Sequence, residues 1–223
     1  MAKIHGIPGE WARVKGTVTG LWPLFLGVFS IGFAAALALR FPLAGLALAV
    51  GSGVYVMVTL HIGLKHVERF FKGARGEEKV SGVLTKLPEA YHVFNDFDCR
   101  GAHIDHVVVG PCGVFSVETK CWSGNVTVED GHILVDGRLP SHPPLKQAVQ
   151  EAASVRSALA KAGWNGVVTP VLVFASDTFA AHRANLRGTV VMNSSELLSS
   201  FDSRRVVLPP DELERLVSIM ESL

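Results

Sequence analysis

Between Ile104 and Lys120 two short apolar runs flank Gly110-Pro111-Cys112-Gly113, and acids and a base stand where a strand core is ordinarily apolar. With Pro111 and Cys112 as the loop, Gly110 pairs with Gly113, Val108 with Phe115, and Asp105 falls opposite Glu118. Side chains alternate along a strand, so Lys120 shares the face of Glu118. Like charges directly opposite each other destabilise a hairpin. The pair therefore calls for a cation, and a hard divalent ion held by carboxylate oxygens is the expected partner. A second metal reading, from His103-x-Asp105-His106, fails on spacing, because alternation turns His106 away from the other two and no further His-x-His partner follows. His103 reads as a solvent-facing loop residue and His106 as a hydrogen-bonding group at the core edge.

The elements that would position this hairpin follow from periodicity. Val80, Val83, Leu84 and Leu87 recur at helical spacing, giving an amphipathic helix from Glu77 to Leu87 that stops before Pro88. Glu77 lies beside its apolar stripe and Glu78 opposite it, so Glu77 can face the sheet while Glu78 faces water. A Glu at this position also suits a helix N-terminus, where the macrodipole favours an acid. Tyr91 to Phe94 reads as a strand ending in an Asn95-Asp96 turn. Asn125–Glu129 and His132–Asp136 form a second hairpin around Asp130-Gly131. His142-Pro143-Pro144 introduces a helix, Val167 to Ala175 is a strand buried on both faces, and Thr189 to Met192 is another strand. Asn193 or Ser194 caps a short helix, and Pro209-Pro210-Asp211 opens the last one. Mixed strands and helices in this order predict an α/β sheet with flanking helices.

Hydrophobic residues make up 48% of the 223 residues, and the excess is concentrated near the N-terminus. Leu21–Leu39 and Leu43–Leu60 are each apolar over ~18–19 residues, close to the ~20 that cross a bilayer core, with Arg40-Phe41-Pro42 as the turn between them. A cleaved signal peptide is the rival reading of the first run, but that run is long and the second follows at once. Lys3, Arg13 and Lys15 precede the pair and Lys65, Arg69, Lys72 and Arg75 follow it. The positive-inside rule then places both termini in the cytoplasm of a plasma- or inner-membrane protein. The expected organisation is an N-terminal segment over 1–18, a transmembrane hairpin over 19–64, a basic linker over 65–75 and a soluble domain over 76–223. The formal charge of +1 points to no global field for nucleic acid. Cys99, Cys112 and Cys121 have neither the count nor the spacing of a disulfide framework or a zinc site.

Gly76-Glu77-x-x-Val80, Val93-Phe94-Asn95-Asp96, Gly101-x-x-Ile104-Asp105-His106, Gly113-Val114-Phe115, Glu118-Thr119-Lys120 and Trp122-x-Gly124 together resemble the nuclease-related domain (NERD) family. That family is similar to the restriction-endonuclease-like superfamily, with its Asp followed by Glu-x-Lys on the next strand. The resemblance covers about Gly73 to Leu159. It implies that Asp105, Glu118 and the main-chain carbonyl of Thr119 hold Mg²⁺ or Mn²⁺, with Glu77 completing the cluster through a water. Lys120 would orient the attacking water or stabilise the transition state. Gln147 matches a glutamine on the helix after the second hairpin, although Pro143-Pro144 replaces the Asn-Pro more usual there. The implied activity is a membrane-anchored, metal-dependent nuclease acting on DNA or RNA at the cytoplasmic face. The alternative is a non-catalytic module on the same fold, tethered to the membrane and binding nucleic acid or a protein.

Overall fold

The computed structural model of the chain describes residues 1–99, 101–202 and 205–223. It divides into two compact units, Glu10–Ala74 and a domain built from Met1–Gly9 together with Arg75–Leu223.

The smaller unit contains α1 (Glu10–Ala38) and most of α2 (Pro42–Leu84), joined at Leu39-Arg40-Phe41 with Pro42 opening the second helix. Proline fits a first helical position because its missing N–H has no intrahelical acceptor there. Both helices are long and apolar enough to cross a membrane. They approach through glycines: a Cβ on Gly16, Gly20 or Gly27 would run into Phe70, Val67 or Val56. Large apolar side chains such as Trp22, Phe25, Phe29, Leu43 and Met57 stay exposed. The boundaries differ from the expected ones. The first helix begins at Glu10, inside the segment assigned to a cytoplasmic tail, and residues 65–75 are helical instead of a linker. Gly73 and Gly76 do not break α2, since each costs only about 1 kcal/mol in a helix interior. The separate helix expected from Glu77 is the C-terminal end of α2, stopping at Leu84.

The larger unit is a seven-stranded mixed sheet in the order β1-β2-β3-β4-β7-β9-β8, with a separate β5–β6 hairpin. Its strands are β1 (Lys3–His5), β2 (His92–Cys99), β3 (Ala102–Gly110), β4 (Gly113–Lys120), β5 (Val126–Glu129), β6 (His132–Val135), β7 (Val168–Phe174), β8 (Arg183–Leu186) and β9 (Thr189–Asn193). The restriction-endonuclease-like mixed sheet flanked by helices is the architecture expected. β7 lies parallel between β4 and β9, which explains a sequence that is apolar but for Thr169. The parallel step from β4 to β7 requires a long crossover, here the β5–β6 hairpin and α3 (Pro144–Lys161). One face of the sheet buries Phe94, Ile104, Val107 and Val114 against α3 and α5 (Pro210–Ser222). The other buries Val93, Val108, Phe115 and Val117 against the end of α2 and α4 (Leu197–Asp202).

Two strands were not legible. β1 pairs in parallel with β2, Lys3 to His92 and His5 to Phe94, so the N-terminal segment is an edge strand of the domain. β8, Arg-Ala-Asn-Leu, is a polar edge strand with no apolar alternation. Nor does β2 stop at Asn95-Asp96: Asp96 takes a left-handed φ of 54° and the strand runs on to Cys99.

Candidate active site

The hairpin register is the expected one, Gly110 with Gly113 and Val108 with Phe115, but its ladder ends at His106–Val117. Beyond that point β4 continues on β7, pairing through Lys120–Phe174, while β3 continues on β2. Asp105 and Glu118, next in register, therefore sit where the two strands part. The Thr119 N–H, which a continued ladder would have given to a β3 carbonyl, donates instead to Asp105 Oδ2 at 2.8 Å. In a strand a residue's N–H and C=O turn to the same neighbour. The Thr119 carbonyl thus faces Asp105, while the Lys120 carbonyl faces β7 and accepts from Ala175 N at 2.9 Å.

Around this opening the sequence gathers acids from four elements, Asp105 on β3, Glu118 on β4, Glu77 on α2 and Glu151 on α3. Glu118 is 2% exposed and pairs with the Lys120 ammonium. Lys120 Nζ also donates to Gln147 Oε1 at 2.9 Å, so Gln147 points inward from α3 as the resemblance implied. Gln147 Nε2 in turn donates at 2.9 Å to Oε1 of Glu151. Glu77, buried at the end of α2, accepts a hydrogen bond from the Gly9 backbone. Gly76 lets that helix end come close: a Cβ there would lie 2.7 Å from Cys121 Cβ. Glu78 is less buried than Glu77, the division that helical spacing predicts.

The electrostatics follow from this crowding. Burial pushes Glu77 up to about 7, helped by the negative charges of Asp96 and Glu118. Asp105 is held well above the usual carboxylate range by burial and by Glu118, Glu77 and Glu151. Burial and the adjacent Glu118 carry Glu151 to about 9. Burial pulls Lys120 down, but Glu118 and then Asp105 and Glu151 outweigh it, so the ammonium stays charged. Among the described residues, Glu77 Oε2, Glu118 Oε2 and Glu151 Oε2 are buried with no donor from another group, apart from a proton that Glu118 and Glu151 can share. Buried acceptors are ordinarily satisfied; here a proton or a cation must do it. All the donors are hard oxygens, the set that suits Mg²⁺ or Mn²⁺. Among the described residues no three His, Cys, Asp or Glu side chains form a ready-made metal cage. The set expected from the resemblance is two carboxylates and a main-chain carbonyl.

Glu151 was missed by the sequence reading, yet it lies at i+4 from Gln147 and so on the same helix face. Asp96 was missed as well. It lies opposite Asp105 in the β2–β3 register, and its carboxylate pairs with His103 at 2.6 Å. His103 is therefore a strand residue in contact with Asp96 and not the solvent-facing loop residue expected. His106 is fully buried, well inside the core edge assigned to it, and its Nδ1 lies 2.8 Å from Asn95 Oδ1.

Residues 72–175 match the Nuclease-related domain family. Over 66 residues the chain is 39% identical to an uncharacterized protein of Bacillus anthracis, an alignment covering 27% of this chain and 31% of that one. The chain thus spans about a third of the length of that curated relative. No solved structure matches.

Proposed function

We propose, from the match of residues 72–175 to the Nuclease-related domain family, a membrane-anchored, divalent-cation-dependent nuclease that hydrolyses phosphodiester bonds of DNA or RNA. The observation that carries this reading is that trio of buried carboxylate oxygens beside Lys120, at the point where β3 and β4 separate. A purely structural ion-pair cluster would gain by apolar replacement, because buried charges seldom stabilise better than packed hydrocarbon. Retaining four acids around one ammonium suits a site that receives a cation and a phosphate.

In this reading Asp105, Glu118 and the Thr119 carbonyl would hold Mg²⁺ or Mn²⁺, and Glu77 would complete the set. The ion supplies Lewis-acid activation of water and neutralises charge on the phosphate. Lys120, kept protonated by its acidic neighbours, stands ready to stabilise the negative charge that builds on the phosphate oxygens. Gln147 fixes the ammonium from the helix side, and Glu151 fixes Gln147. The Asp105 hydrogen bond to Thr119 N sets the spacing of two of the ion's oxygen donors.

The membrane side of the proposal rests on α1 and α2. The grouping of residues 1–9 with 75–223 in one compact unit supports a hairpin of two crossings whose ends share a compartment. The basic residues flanking the helices support a cytoplasmic location for that compartment.

The test is cleavage. The full chain in detergent is incubated with labelled single- and double-stranded DNA and RNA in Mg²⁺, Mn²⁺ or EDTA, beside folded Asp105→Ala and Lys120→Ala variants. Cleavage that needs the metal and is lost in both variants is expected. Cleavage persisting in both variants removes the site assignment, and no cleavage of any substrate leaves the non-catalytic binding module.

A further inference from the structure

A cavity of about 450 Å³ lies outside the carboxylate cluster, between the β5–β6 hairpin, the start of α3 and the β8–β9 turn. Its walls include Leu139, Pro140 and Pro143, and its ionisable lining is His132, Lys146 and Arg187. Among the described residues no carboxylate lines it, and none of these three basic side chains has an ion-pair partner. Arg187 heads a tight turn with Gly188, both at positive φ, which sets its guanidinium against Gly131 of the opposite hairpin. The cavity is thus a small apolar slot with positive charge and no negative charge on its lining. Lys146 of its lining immediately precedes, on α3, Gln147, which holds the Lys120 ammonium.

We propose that this cavity is a subsite for one unpaired nucleotide of the strand that passes the carboxylate cluster. The base lies against Leu139, Pro140 and Pro143, and a phosphate of the same nucleotide is held by Lys146 and Arg187. A paired base stays stacked in its duplex and enters such a slot only by flipping out, at a cost of a few kcal/mol. Single-stranded nucleic acid, or an unpaired end, is therefore the substrate class. This inference rests on the nuclease reading of the cluster, but its test does not require turnover.

The full chain in detergent, in EDTA, is titrated into fluorescein-labelled 12-nucleotide single strands of DNA and RNA and into a duplex of the same length, with fluorescence anisotropy as the readout. Lys146, Arg187 and Leu139 are all exposed, so substitutions there leave the fold intact. Single strands are expected to bind more tightly than the duplex. The double variant Lys146→Ala, Arg187→Ala weakens binding about tenfold and lowers the slope of log K against log salt by about 0.7, the loss of one phosphate contact on a single strand. Leu139→Ser weakens binding without changing that slope. Unchanged affinity and slope in the double variant, or a preference for duplex, overturns the subsite. If metal-dependent cleavage by the unmodified chain persists in that case, the nuclease reading stands and only the subsite falls. Absence of binding to every strand, together with absence of cleavage, overturns both.

Discussion

Replacing Glu151 with Gln should stabilise the metal-free protein at neutral pH, although it alters a buried, hydrogen-bonded residue. The Glu151 carboxyl has its pKa raised from 4.5 to about 9, first by burial and then by Glu118. Between those values the folded chain binds a proton that the unfolded chain does not. Stability from this group is fully present below pH 4.5 and falls by about 1.4 kcal/mol per unit as pH rises toward 9. At pH 7.5, three units above the unfolded value, the accumulated cost is about 4 kcal/mol; at pH 6 it is about 2 kcal/mol. A glutamine carries no such cost. Its carbonyl still accepts from Gln147 Nε2, and its amide supplies a donor for the orphaned Glu118 Oε2. Native-state hydrogen exchange of a peptide covering β4, in EDTA, reports opening of this domain independently of α1 and the N-terminal part of α2. The variant should exceed the unmodified chain by about 4 kcal/mol at pH 7.5 and by about 2 kcal/mol at pH 6, with the gap closing toward pH 4.5. Equal pH slopes in the two proteins, or a gap that widens on acidification, would refute the electrostatic reasoning.

Gly76→Val forces its side chain against Cys121, so it should move Glu77 and lower divalent-ion affinity several-fold without touching a ligand; Mn²⁺ titration compares it with Gly82→Ala, where a Cβ meets nothing within 4 Å. Deleting residues 1–9 removes β1, with the hydrogen bonds Ala2 N to Thr85 O and Lys3 N to Tyr91 O, and the stack of His5 on Phe94. At about 1 kcal/mol for each such contact, a loss of roughly 2–3 kcal/mol is expected in urea unfolding, and unchanged stability would detach β1 from the domain. His106 is held neutral by burial, its pKa lowered to about 3. Below pH 6.5 the unfolded chain takes up a proton that the folded one refuses, so stability from this group falls with falling pH, by about 2 kcal/mol at pH 5. That slope opposes the one from Glu151, and it should vanish in His106→Gln while overall stability drops.

How much of this was legible depended on whether local rules governed the residue. The hairpin register could be read because Gly110-Pro111-Cys112-Gly113 fixes the loop and alternation fixes the faces. The Asp130-Gly131 turn was readable for the same reason, with φ of 48° and 72° at its two residues. Helical spacing allowed Glu77 to face the sheet but equally allowed a helix-N-terminal acid, and it is the burial of Glu77 that decides between them. Position 118 opposite 105 was legible too, but not that the ladder stops there, because the parting of β3 and β4 depends on β7, some fifty residues further on. β1 is only Lys-Ile-His, too short for any period to register. Asp96 looked like a turn because its left-handed backbone is a turn signal; tertiary pairing on both sides carries the strand through it. Glu151 carried a signal, four residues beyond Gln147, that went unread because nothing local marks which face of α3 meets the acids.

The central claim is that the acids gathered where β3 and β4 part hold one divalent cation. Mn²⁺ titration of the metal-free full chain, read by electron paramagnetic resonance, tests it without reference to any substrate. One bound Mn²⁺ per chain is predicted, displaced by Mg²⁺ and lost in both Asp105→Asn and Glu118→Gln. Stoichiometric Mn²⁺ binding that survives in both variants, or no binding in the unmodified chain, would contradict the account.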